Sequence, residues 1–197
     1  MTEQLKIALI GFAAAVVGGM VTGFYHHVRD WWTRPRLSLN YENGPAHFVN
    51  VDYIKPDGKD ISSVWVRVRA RNKGLRVAKR CRIFLVGLEE VHPSGKTTST
   101  SLHDSPLLSW AGGNDFEPRD IPRGVDFYAD VVHVSKHVSD FMFSVDAFFA
   151  DAKDLGKYRG TYRCHVLVTA DDAKPARCKI DVAYDGDWHH FRGVPVV

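Results

Sequence analysis

Eight Lys or Arg residues and no Asp or Glu occupy the sixteen positions 67–82, RVRARNKGLRVAKRCR. The net charge of the whole chain is only +3, which leaves −5 for everything outside that window. Positive charge at such density suits anions. Guanidinium forks grip phosphate and carboxylate oxygens in pairs. An anionic bilayer leaflet attracts each nearby Lys or Arg by about 1 kcal/mol. A basic groove also tracks a nucleic-acid backbone while an aromatic ring stacks on the bases. Trp65, Arg67, Arg69, Arg71, Arg76, Lys79, Arg80 and Arg82 are therefore the candidate binding residues for an anionic ligand or partner. Nucleic acid is the least favoured of the three, because no reader motif accompanies the stripe. A fourth reading needs no ligand: the arginines pair with acidic residues such as Asp126, Asp130 or Asp181 and keep a sheet soluble.

Other chemistries lack a constellation. There are ten histidines, but His26-His27 and His189-His190 are adjacent pairs, and adjacent side chains diverge on a helix or a strand. His133 and His137 would share a face only on a helix. No three ligands show a usual zinc spacing, so no metal or cofactor is expected. No Gly-x-Ser-x-Gly elbow or Gly-rich phosphate loop occurs. Asp171-Asp172 suits a turn, and the segment from Asp185 to Phe191 reads as a terminal turn with an aromatic closure. The expectation is a non-enzymatic protein. Its odd count of three cysteines, without a CxxC pair, favours a reducing compartment.

These residues need a scaffold, and the chain divides into two kinds of pattern. Between Lys6 and Arg29 lie 22 residues without Asp, Glu, Lys or Arg. A helix of that length reaches about 33 Å, enough to cross a hydrocarbon core of about 30 Å. Phe24, Tyr25, Trp31 and Trp32 supply an aromatic belt at its end. A cleavable signal is the rival, but only six apolar residues precede Ala13-Ala14-Ala15, and the run continues past them. Residues 1–30 therefore read as an uncleaved single-pass transmembrane anchor, with 31–36 as a short linker. Arg29, Arg34 and Arg36 on the C-terminal side, against Lys6 and Glu3 on the other, put the following domain in the cytoplasm by the positive-inside rule. Gly11, Ala15, Gly19 and Gly23 recur every four residues along one side, a stripe suited to self-association as a homo-oligomer.

After Pro35 the hydrophobic pattern alternates with period two. Strands are expected at 36–41, 48–54, 63–72, 80–91, 125–134, 161–170 and 178–184, bounded by turn signals such as Asn72-Lys73-Gly74 and Pro122-Arg123-Gly124. Residues 135–150 are ambiguous, with a lean to strand at 141–149. Seven short Val-, Ile- and aromatic-rich strands predict an all-β antiparallel sandwich over 37–197. Alternation assigns Val64, Val66, Val68 and Ala70 to the core, and Trp65, Arg67, Arg69 and Arg71 to the outer face. With Arg76, Lys79, Arg80 and Arg82 added from the turn and the next strand, the charge would form one exposed hairpin face.

Asn72, Gly74 and Ala78, set between two apolar strands, resemble the first hairpin of CARDB-like, immunoglobulin-type bacterial sandwich domains. The resemblance implies that the Asn and Gly shape a turn and that the Ala begins the next strand. It also implies a binding or spacer module. Tyr162-Arg163-Cys164 is similar to the Tyr-x-Cys of immunoglobulin strand F, but no Cys lies within 64–70 to pair with Cys164. The expected function is thus a membrane-anchored, immunoglobulin-like interaction module using the basic hairpin. The alternative is a membrane effector whose β-domain senses a phosphorylated small ligand and drives assembly of the transmembrane helices.

Overall fold

The computed structural model describes residues 3–52, 58, 62–100, 105–112, 115–136, 141–146 and 159–196, with the side chains of 3–10, 13, 14 and 141 outside that description. Two compact units result, Met1–Arg34 and Pro35–Val197.

The first unit is one helix, α1, Glu3–Thr33. It contains no proline and few β-branched residues, and Thr22 and Thr33 turn their hydroxyls back to the carbonyls of Gly18 and Arg29 at 2.8 Å. Trp31, Trp32 and Thr33 are helical, so half of the expected linker belongs to α1. Phe12, Val17, Met20, Val21, Phe24 and Trp32 are all exposed. At 3.6 residues per turn Val17, Met20, Val21, Phe24 and Trp32 share one side of the helix, and Gly11, Ala15, Gly19 and Gly23 take the other, with Phe12 projecting on that same side. Nothing lies within 4 Å of a Cβ placed on Gly11, Gly19 or Gly23. Among the described residues no helix is long and apolar enough to cross a membrane. The side chains of 7–10, which include Ile7, Leu9 and Ile10, fall outside those residues.

The second unit is all-β, built from antiparallel sheets. Its strands are β1 Leu37–Asn40, β2 Phe48–Val51, β3 Ser63–Asn72, β4 Ala78–Val91, β5 Thr97–Ser99, β6 Arg119–Ile121, β7 Asp126–Ser135, β8 Phe141–Phe143, β9 Gly160–Thr169, β10 Ala176–Tyr184 and β11 Arg192–Pro195. One sheet has the order β1-β3-β7-β8 with β2 also on β3; the other has β11-β10-β9-β4-β5 with β6 also on β4. Val66, Val68, Ala70, Val132 and Val134 from the first sheet pack with Ile83, Leu85, Val166, Val168 and Ile180 from the second. Alternating apolar residues thus bury one face of each sheet, which stabilises a two-layer sandwich.

All seven expected strands are present, with ends moved by a few residues. The 141–149 lean is met by β8 over 141–143 only; 144–146 are not strand, while 137–140 and 147–150 lie outside the described residues. β5, β6, β8 and β11 are each four residues or shorter, too brief to show a period. Segment 106–111 was also not expected to pair. It joins the sheets: Leu108 donates to the Ile83 carbonyl at 2.9 Å, and three residues later the Tyr128 carbonyl accepts from Ala111 at 2.8 Å.

One expectation fails. β3 and β4 are consecutive but lie in different sheets, so 64–88 is a crossover between layers and no hairpin. Asn72, wholly buried, holds that crossover. Its Oδ1 accepts from the backbone of Arg36 at 3.1 Å and of Gly74 at 2.9 Å. Its Nδ2 donates to the carbonyls of Arg76 at 2.6 Å and Ile121 at 3.0 Å. The start of β1, the 73–77 loop and the 121–125 turn are thereby tied to one side chain. Ala78 is the first residue of β4.

Candidate functional site

Because β3 and β4 diverge into separate layers, the sixteen-residue basic window is divided among three surfaces. Trp65, Arg67, Arg69 and Arg71 line the outer face of β3, half-buried, while the alternate Val64, Val66, Val68 and Ala70 are buried beneath. Arg76 lies in the 73–77 loop, Lys79 and Arg80 in the first turn of β4, and Arg82 on the outer face of the other sheet; all four are exposed. The single hairpin face of the sequence expectation is corrected accordingly.

Along β3 the outward side chains differ sharply in what holds them. Trp65 stacks on His133 with centroids 4.0 Å apart and planes at 16°, and its Nε1 donates to Ser63 Oγ at 2.7 Å. Burial pushes the His133 imidazole down to about 4, so it is neutral around pH 7. Trp65 therefore has a ring partner already, rather than a free face for a base. Arg67 meets Asp130 at 2.5 Å, with their side chains only 19% and 5% exposed. A register shift between Val66 and Arg67 makes this pair: Val66 faces Val132 but Arg67 faces Asp130, so both Val131 and Val132 are buried. Burial raises the Asp130 pKa, and the guanidinium of Arg67 opposes that shift. His47 adds a lock from β2's start. Its ring Nδ1 lies 3.0 Å from the Arg67 carbonyl, its own carbonyl accepts from the Arg67 amide at 2.7 Å, and Tyr41 and Tyr128 flank it edge-on.

Toward Asn72 the side chains become available. Arg69 bonds Glu42 at 2.6 Å and Asn40 Oδ1 at 3.3 Å. Asp126 lies 3.7 Å from Arg69 and 3.5 Å from Arg71, and its buried Oδ1 accepts no hydrogen bond. Register explains the grouping: Ser38 and Asn40 on β1 face Arg71 and Arg69, and Arg71 faces Asp126 on β7. Lys73 follows directly, and the Asn72–Arg123 bridge brings in the Pro122-Arg123-Gly124 turn. Together Ser38, Asn40, Arg69, Arg71, Lys73 and Arg123 line an open cleft of about 460 Å³. Gly124, at φ +75, forms its rim beside the Arg71 guanidinium. Among the described residues no ion pair occupies Lys73 or Arg123.

Four cations around one carboxylate and an exposed glutamate can hold an anion by charge-assisted hydrogen bonds. The Ser38 hydroxyl donates to the Arg71 carbonyl at 3.2 Å, so it serves β1. Two members, Arg69 and Arg71, were expected from sequence; Lys73, Arg123, Ser38 and Asn40 were not. Arg123 read only as part of a turn signal, and only the pairing of distant segments places it here.

Lys79 and Arg80 lie near acids: the Lys79 amide donates to Asp172 at 2.9 Å, the Arg80 amide to Asp120 at 2.8 Å, and the Arg80 guanidinium is 3.5 Å from Asp171. Arg80 itself has φ 51, within a register shift between Ala78 and Cys81. Asp181 belongs to Arg163, which grips it through two bonds of 2.8 and 2.9 Å. At the tail, Asp187 caps a 3-10 turn, Trp188–His190, and Phe191 is buried behind it against Tyr184. His190 and Asp185 pair at 2.8 Å in the open, which raises the imidazole pKa, while the Asp187 amide, donating at 2.9 Å, and then His190 lower that of the Asp185 carboxyl. Among the described residues no group of three His, Cys, Asp or Glu side chains could hold a metal ion. Cys81 and Cys164 are buried free thiols, and burial pushes Cys178 up to about 12.

No protein-family model matches the chain, and no curated protein matches it at a significant level.

Proposed function

We propose that this chain is a single-pass, membrane-anchored binding module whose immunoglobulin-like sandwich holds a small phosphate- or carboxylate-bearing ligand between Arg69, Arg71, Lys73 and Arg123. The observation that carries this reading is the cleft itself: Arg71 is 41% exposed and only loosely faced by Asp126, and beside it stand two further cations that form no ion pair among the described residues. Arg67, Arg76, Lys79, Arg80, Arg82 and Trp65 drop out of the ligand-binding set on this reading. The sequence resemblance to CARDB-like domains agrees with a non-enzymatic role. Isothermal titration of the purified full chain with inorganic phosphate and with nucleoside phosphates tests the proposal. Saturable binding lost in Arg71→Ser and in Lys73→Ser supports it; binding unchanged by both substitutions sinks it.

The anchor reading rests on α1, which is apolar on both its bulky and its small-residue sides over 22 uncharged positions. A cysteine introduced at exposed Ser94 would be protected from an impermeant thiol reagent in intact cells if the sandwich faces the cytoplasm, and labelled if it faces outward. The effector alternative gains support from the uncovered Gly11, Ala15, Gly19 and Gly23 stripe, through which two anchors could close on each other. Crosslinking in membranes distinguishes the two: ligand-dependent growth of the oligomer favours the effector, a ligand-insensitive dimer the module.

A further inference from the structure

Asn72 ties together the start of β1, the 73–77 loop and the 121–125 turn, and this same end of the sandwich carries an unusual surface. Leu75, Val77 and Val125 are 44%, 40% and 42% exposed there, apolar side chains on loop tips rather than on a sheet face. Around them are Lys73 and Arg123, and Lys174, whose backbone bridges Arg36. Among the described residues none of these three cations takes part in an ion pair. The acids nearby are engaged on the far flank with Lys79 and Arg80: Asp171 by charge, Asp120 and Asp172 by accepting backbone amides. Apolar loop tips ringed by cations match a bilayer surface whose headgroups are anionic and whose interior is apolar. Connectivity agrees, because only Arg34 and Pro35 separate the last residue of α1 from Arg36, which is bonded to Asn72 and whose carbonyl accepts from Lys73 at 2.8 Å.

We infer that the 73–77 and 121–125 loops form a bilayer-contacting tip, with Leu75, Val77 and Val125 entering the headgroup region of an anionic leaflet and Lys73, Arg123 and Lys174 meeting its phosphates. The anchor of the proposed function supplies the bilayer, so this inference rests on that part of the reading; Lys73 and Arg123 also line the cleft, so leaflet phosphates and a soluble anion would compete for them.

Spin labels on single cysteines test it in the full chain, reconstituted in phosphatidylcholine vesicles with or without phosphatidylserine. Leu75→Cys and Val125→Cys report the tip. Ser94→Cys, in the turn that closes β4 at its other end, reports the opposite pole, and Val17→Cys reports α1. The native thiols compete little, since Cys81 and Cys164 are buried and Cys178 is half-buried. Labels at 75 and 125 are expected to become several-fold less accessible to a water-soluble nickel chelate when phosphatidylserine is present, while 94 stays fully accessible. Accessibility at 75 and 125 equal to that at 94 in both lipids overturns the tip. Shielding that is the same without phosphatidylserine overturns its anionic preference. A label at 17 that remains water-accessible instead overturns the anchor reading, so the two failures are read from different positions.

Discussion

The two ends of β3 carry the same residue type on the same face, and the structure uses them oppositely. At the Trp65 end every outward group is occupied inside the protein: ring on ring with His133, guanidinium on a nearly buried carboxylate, backbone on His47. At the Asn72 end Arg71 is half-exposed, Asp126 is 3.5 Å away, and Lys73 and Arg123 stand beside it without ion pairs among the described residues. Charge density in a sequence therefore does not measure charge available to a partner. What decides is how closely the cross-strand carboxylate grips: Asp130 meets Arg67 at 2.5 Å in a nearly buried pair, while Asp126 stays 3.5 Å from a half-exposed Arg71 beside the cleft.

The largest effect should come from breaking the occupied end. Arg67→Ala leaves Asp130 buried without its partner, and a loss of about 3–5 kcal/mol in urea unfolding is expected. Arg67→Met with Asp130→Leu should recover most of it, because two desolvated charges disappear together. A small effect of the single change would place Arg67 with the available arginines and dissolve the contrast. Next comes Asn72→Ala, which orphans two amides and two carbonyls around a buried position and should cost about 2–3 kcal/mol by the same assay.

The third effect is a pH dependence confined to the occupied end. The His133 pKa is about 4 when folded against an ordinary 6.5, so the unfolded chain binds the extra proton between those values. Its stabilising contribution is full above about pH 6.5 and is lost as pH falls toward about 4. His133→Phe, which keeps a ring against Trp65, should flatten that part of the stability–pH curve. The smallest stability effect belongs to the open end. Arg71→Ser should change unfolding free energy by less than about 0.5 kcal/mol, yet weaken phosphate binding by about tenfold, the loss of one charge-assisted bond. Equal losses of stability from Arg67 and Arg71 variants would erase the comparison.

Much of this scaffold was legible in advance. Strict alternation over 64–71 marked out β3 and both its faces, because each inward residue there is a small apolar one and each outward residue is bulky or charged. The exchange of layers between β3 and β4 was not legible, since a turn signal between two strands looks alike whether they pair or part. Asp130 was named as a possible neighbour, but its match to Arg67 depends on the shift at Val131, which period-two counting passes over. Segment 106–111 escaped for a related reason: half of it pairs with β4 and half with β7, so neither half is long enough to show a pattern. The cleft needed contacts across about fifty residues, Asn72 to Arg123, that only the assembled sheets supply.

The crossover after Asn72 also has a kinetic consequence. Neighbouring strands that part into separate layers cannot zip together locally, so β3 must wait for β7 and β4 for β9, each arriving from a far part of the chain. Successive strands pair directly at β2-β3, β4-β5, β7-β8 and along β9-β10-β11, but none of these pairs joins the two long strands on either side of the crossover. Loop closure over such distances slows folding to the millisecond-to-second range typical of sandwiches. A chain emerging from the ribosome would therefore hold the valine face of β3 uncovered until its last third has been made.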